Sequence, residues 1–211
     1  MNAGQIVVIG VCLVLAVWFL VGIWYNRRRA REIVRWLEGG REVLGGRVGK
    51  VWIGATGSGL RVPIDNPSPP FRRLDLIVRL ESRENLPLWL FERAQGKRDQ
   101  LTFLAWLRSP GQCEQEAVPA GGALDRALQT QTDHPWQRTD VPPHWSIAQR
   151  GNPSEEQTEA LRAFITTYDR RLGRFSRRQS EPHLLIQVSL GELSDESSRQ
   201  LLSHIKTAVS A

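Results

Sequence analysis

The sequence predicts an α+β protein. A single N-terminal transmembrane helix precedes one domain with a mainly antiparallel sheet and C-terminal helices. Three observations predict this. Twenty consecutive positions, Ile6 to Tyr25, carry no charged or strongly polar side chain. Beyond residue 47 the hydrophobic period changes to two, in short stretches bounded by Gly, Pro and Asn. Near the C-terminus two helical patterns flank another alternating stretch, without the regular strand–helix repeat of a parallel sheet.

The apolar run comes first. At about 1.5 Å per residue, 20 helical residues span about 30 Å, the thickness of a bilayer's hydrocarbon core. A helix is the one-segment solution that satisfies its own backbone in lipid. Trp24 and Tyr25 close the run, where amphipathic rings favour the headgroups. A cleaved signal peptide wants a cationic start and a small-residue cleavage site. Here no basic side chain precedes Arg27, and Asn26-Arg27-Arg28-Arg29 follows the run. The expected organisation is therefore a short tail and span over 1–26 (span 6–25), a basic juxtamembrane helix over 27–46, and a soluble domain over 47–211.

Charge gives the expected orientation. Arg27, Arg28, Arg29, Arg31 and Arg35 follow the span, and the positive-inside rule then puts the N-terminus outside the cell membrane and the C-terminal domain in the cytoplasm. Cys12 in the span and Cys113 far beyond it suit a reducing compartment. The formal net charge of +6 would by itself suggest a nucleic-acid binder. However, residues 27–50 hold eight basic and three acidic side chains, whereas residues 51–211 hold 20 and 19, so the excess is juxtamembrane. It predicts a membrane-surface role for those arginines, or topology setting alone, and no nucleic-acid partner.

The remaining elements follow in order. Ile33, Leu37 and Leu44 mark one face of a helix over 27–44, which Gly39-Gly40 weakens and Gly45-Gly46 ends. Val48–Ala55 and Leu60–Asp65 read as a hairpin, and Asn66-Pro67-Ser68-Pro69-Pro70 as a stiff loop. Arg72–Ser82 alternates with Leu74, Leu76, Val78 and Leu80 inward, and Leu101–Arg108 with Leu101, Phe103, Ala105 and Leu107 inward. Between them, Pro87 opens a short helix. Residues 109–143, broken by prolines, read as a loop-rich insertion with strands near 114–118 and 136–140 and a helix near 123–128. Ser154-Glu155-Glu156-Gln157 is a capping box. It opens a helix with Leu161, Phe164, Ile165, Tyr168 and Leu172 on one face, expected to end near Arg174–Arg178. His183–Leu190 is a strand, and a final helix capped by Ser194 presents Leu201, Leu202, Ile205 and Val209.

Each chemical motif has a structural reading beside it. Gly54–Gly59 follows a strand as a phosphate loop would, but its spacing is GxxGxG, it lacks a Lys-Ser/Thr pair, and Leu60–Pro63 continues as a strand. Asp133, His134, Asp140 and His144 offer metal-ligand types without a ligand spacing. No G-x-S-x-G elbow occurs, and the acidic neighbours Glu114 and Glu116 give Cys113 no cationic partner that would favour a nucleophilic thiolate. The sequence thus predicts no catalytic, cofactor or metal residue. It predicts a single-pass protein whose domain is a non-catalytic module binding protein or membrane surface. Trp89, Phe91, Arg170, Arg174 and Arg178 are the candidate protein-partner surface. The alternative is a membrane-tethered enzyme, binding nucleotide at Gly54–Gly59 or metal at Asp133–His144.

Overall fold

Helix α1 (Ala3–Gly39) is one rod of 37 residues. A capping box starts it: the Asn2 side chain accepts from the Gln5 amide (2.9 Å), and Gln5 accepts from the Asn2 amide (3.1 Å). No proline interrupts it before Gly39-Gly40, so the apolar run and the basic stretch expected as two units share one axis. The computed structural model describes residues 2–54, 57–130, 136–141, 144–191 and 198–210. The Ser194 cap expected for the last helix lies outside these.

Up to Tyr25 the rod buries only Gly22; beyond it Asn26, Ala30, Ile33, Val34 and Leu37 are buried. That is one stripe at helical spacing, and it faces the domain core. The short helix α2 (Arg41–Leu44) follows and adds Leu44 to the same core.

Among the described residues ten strands form one antiparallel sheet. They are β1 (Arg47–Val48), β2 (Val51–Ile53), β3 (Gly59–Asp65), β4 (Phe71–Arg79), β5 (Gln100–Leu107), β6 (Glu114–Pro119), β7 (Gln137–Val141), β8 (Trp145–Arg150), β9 (Leu172–Arg177) and β10 (Leu184–Ser189). Their order is β1-β3-β4-β5-β10-β9-β6-β8-β7, with β2 also on the outer edge of β3. The alternation read in the sequence sets the register: Leu76 pairs Phe103, and Phe103 pairs Ile186. Leu74, Leu76, Val78, Leu101, Phe103 and Ala105 are buried, as the period of two requires. This is the α+β architecture expected, with α1, α5 (Glu155–Tyr168) and α6 (Ser198–Ser210) sharing one core with the sheet.

Segment 109–143 supplies more than loops. Strand β6 lies inside the sheet between β8 and β9, and α4 (Ala123–Gln129) packs Leu128 on Val118 and Ala148.

One expectation fails. Helix α5 stops at Tyr168, and Leu172–Arg177 is a strand, not the end of that helix. Leu172 satisfies both patterns, falling on the apolar face of α5 and also inward on β9. Pairing with β10 and β6 decides for the strand, because it puts Phe175 in the core and Arg174 and Ser176 beside a buried carboxylate on β6. Arg174 and Arg178 therefore lie on and just after a strand, where both meet Glu116. At the other end of α5 the predicted cap holds: Ser154 accepts from the Gln157 amide at 3.1 Å. Ser154→Ala is expected to cost about 1 kcal/mol, read as a lower denaturant midpoint at unchanged slope.

Candidate functional site

The most elaborate polar cluster surrounds α1 where its apolar run ends. The turn after β4 folds back onto the helix, and α3 (Leu86–Ala94) follows from it. Asn26, wholly buried, donates through Nδ2 to the Glu81 carbonyl (3.1 Å) and to Glu84 Oε2 (3.1 Å). Its Oδ1 accepts from Arg83 Nη1 (3.0 Å). Arg83 also donates to both Asp99 oxygens (2.9 and 3.2 Å), and its guanidinium lies 5.0 Å from the centre of the Tyr25 ring. Asp99 accepts from the Glu81 amide (2.9 Å) and faces Arg29 at 3.5 Å. A buried carboxylate held by a guanidinium and a backbone amide is well satisfied, so this collar fixes the rod to the sheet.

The contact extends toward the apolar end of the rod. Trp18 Nε1 donates to the Arg83 carbonyl (2.8 Å), and the Trp18 ring lies 5.6 Å from that of Trp89 on α3. Gly22 meets the backbone of Arg83 and Glu84 directly. The rod and α3 thus touch inside the run Ile6–Tyr25. An apolar hollow of about 330 Å³ lies between them, lined by Trp18, Val21, Tyr25 and Trp89. A second groove, of about 760 Å³, is lined by mixed charge including Arg29, Glu32, Glu81, Arg93 and Asp99.

On α3 the Trp89 indole N–H and the Glu92 carboxylate turn inward, while Arg93 stays exposed. Trp89 Nε1 donates to Glu81 Oε2 (2.6 Å), and buried Glu92 accepts from Lys97 Nζ (3.2 Å). Burial pushes the Glu92 carboxyl up, but the hydrogen bond and charge of Lys97, aided by Ser82 and Arg79, outweigh it and leave the pKa below the ordinary value. A depressed carboxylate stabilises the fold above its unfolded pKa, and that contribution disappears as pH falls through the folded one. Glu92→Gln should therefore flatten the loss of stability on acidification, measured by urea unfolding between neutral pH and about pH 3.

The five arginines that follow the apolar run divide. Arg29 is an internal tie, donating to the Leu190 and Gly191 carbonyls (3.1 and 2.8 Å). Arg28 pairs with Glu32 (3.1 Å). Arg27, Arg31 and Arg35 are exposed, and Arg27 and Arg31 line a hollow with Trp52 and Gly57 of the β2–β3 turn.

The candidate partner residues do not form one surface of a single kind. Trp89 is half-buried against Trp18, whereas Phe91 is exposed. Arg170 is exposed in the turn after α5. Arg174 and Arg178 are committed inside the domain, both donating to Glu116 on β6.

The other candidates take structural positions where they are described. Gly54–Gly59 connects β2 to β3, with a strand and no helix after it; Ala55 and Thr56 lie outside the described residues. Asp133 and His134 also lie outside them. His144 Nε2 is 3.5 Å from Asp169, and Asp140 is 3.4 Å from Arg138. Among the described residues no group of three or more metal-ligand side chains converges. His183 is buried and accepts the Leu107 amide through Nδ1 (3.0 Å), and His204 meets the Tyr168 hydroxyl (2.9 Å).

Sequence reasoning missed Trp18, Gly22, Asn26, Arg83 and Asp99. The one available signal was Asn26, an amide side chain at the end of an apolar run, where a charged residue would serve topology equally well. No protein-family model matches this chain, and no curated protein matches it in sequence.

Proposed function

We propose that this is a single-pass cell-membrane protein, N-terminus outside, whose cytoplasmic domain is a non-catalytic binding module held at a fixed height on the bilayer. The supporting observation is the unbroken α1. It is long and apolar enough to cross a membrane, and it continues without a joint into the domain core. A cleavable leader would be a poor use of this helix, because cutting after Tyr25 would remove Trp18, Gly22 and the helical turn that positions Asn26. The arginines after the span favour the cytoplasmic placement.

A tethered domain is confined near the membrane, so weak intrinsic affinity suffices for a protein or lipid surface there. The exposed apolar side chains of α3 and β2, beside Arg27, Arg31 and Arg93, are where such a surface would be engaged.

Two measurements test this. The full chain should stay in the pellet after carbonate extraction; release to the supernatant refutes the anchor. For orientation Cys113 is a poor reporter, because it is buried. An exposed substitute such as Glu159→Cys, in a Cys12→Ser background, should resist an impermeant maleimide in intact cells and react after permeabilisation. Labelling in intact cells would place the domain outside.

A further inference from the structure

We propose that α3 is a second, interfacial membrane element that lays its outer face into the headgroup–acyl boundary beside the span. The inference rests on the reading of α1 as a retained transmembrane helix.

The first observation is the inverted polarity of α3. An ordinary surface helix turns its charges to water and its apolar stripe to the core. Here Pro87, Leu88, Leu90, Phe91 and Ala94 face outward, and the acidic Glu92 is buried. At about 100° per residue the outward residues fill one apolar arc about 160° wide. Leu88, Leu90 and Phe91 are 41%, 53% and 60% exposed. The basic side chains Arg93, Lys97 and Arg98 gather at the C-terminal end of the helix, where lipid phosphates would be within reach.

The second observation says what covers that arc. Helix α3 is attached to α1 within the apolar run, through Trp18 to Trp89 and through Gly22 to the turn that precedes it. If the domain stayed wholly in water, only Ala3–Val17 would remain for lipid. Those 15 residues reach about 22 Å, against a hydrocarbon core of about 30 Å. The shortfall of about 8 Å has to come from thinning the bilayer or from lowering the domain into it. An interfacial helix buries its apolar face about 5–10 Å deep, which matches the shortfall. Within the turn the Arg83 guanidinium is paired with Asp99 and bonded to Asn26, and Glu84 accepts from Asn26, which lowers the cost of bringing the turn to the headgroup level. The apolar arc of α3 is thus continuous with the lipid-facing surface of α1, and the occupant it fits is the bilayer.

The test uses the full chain in Cys12→Ser background, reconstituted in phosphatidylcholine–phosphatidylserine vesicles. A nitroxide is placed in turn at Leu90→Cys, Val14→Cys and Glu159→Cys, and its relative collision rates with oxygen and a water-soluble nickel chelate give its depth. Leu90 should read about 5–10 Å below the phosphates, Val14 deep in hydrocarbon, and Glu159 in water. Leu90 as accessible to nickel as Glu159, with Val14 in lipid, overturns the inference and leaves α3 as a face for a protein partner. Val14 in water overturns the transmembrane reading and this inference with it.

Discussion

Replacing Glu116 with alanine is expected to destabilise the domain by about 3 kcal/mol, the lower end of the cost of breaking a buried ion pair. Glu116 is fully buried on the outer face of the sheet. Its carboxylate accepts two hydrogen bonds from Arg174 (3.1 and 3.0 Å), one from Arg178 Nε (2.7 Å) and one from the Ser176 hydroxyl (2.5 Å). Alanine would leave two guanidinium groups facing each other across the gap. They retain some access to water, Arg178 more than Arg174, which limits the penalty. Glu116→Gln keeps an acceptor for Ser176 but presents an NH₂ to an arginine donor, so a smaller loss is expected. The readout is the denaturant midpoint of the full chain in micelles, with tryptophan fluorescence as probe. An unchanged midpoint for Glu116→Ala would mean that the cluster adds nothing beyond the strand pairing of β6 with β9.

Gly22→Leu is expected to unseat the collar, at a cost of about 1–3 kcal/mol. In a helix interior glycine normally disfavours stability by about 1 kcal/mol relative to alanine, so a larger residue would otherwise be an improvement. Here an added Cβ would lie 2.5 Å from the Arg83 carbonyl oxygen and 2.6 Å from the Glu84 Cα. Both are backbone atoms and cannot swing aside. The turn must retreat, and with it go the bonds from Trp18 and Asn26. Gly10→Leu is the control, because nothing lies within 4 Å of its added Cβ and it should be neutral or slightly stabilising. Protease cleavage between residues 81 and 99 should accelerate for Gly22→Leu alone. Equal cleavage of both variants would show that the close contact is not what seats the domain on the rod.

Periodicity explains how much could be read in advance. Arg72–Ser82, Leu101–Arg108 and His183–Leu190 each bury one face of a sheet, and burial imposes alternation on composition. The Ser154 capping box is likewise local chemistry that needs no partner. Where reading failed, the deciding partner was distant in sequence. Arg174 and Arg178 looked like the basic end of a helix because Glu116 lies 58 and 62 residues away. Trp89 and Phe91 lie two residues apart in one apolar stretch, yet one packs on Trp18 and the other is exposed. Trp18 itself, read as one more apolar residue of the run, donates to a carbonyl 65 residues on.

The sequence alone determined the apolar rod, its basic flank, the antiparallel α+β class and the position of most strands and helices. Each of these follows from local spacing, because hydrophobic burial repeats with the period of the element and an unbroken apolar run is legible without any partner. Only the tertiary structure decided that the rod and domain are one piece, that the collar reaches into the apolar run as far as Trp18, and that α3 wears its apolar side outward. Those features depend on which surfaces meet, and a pattern along one chain carries no record of its neighbours across the fold.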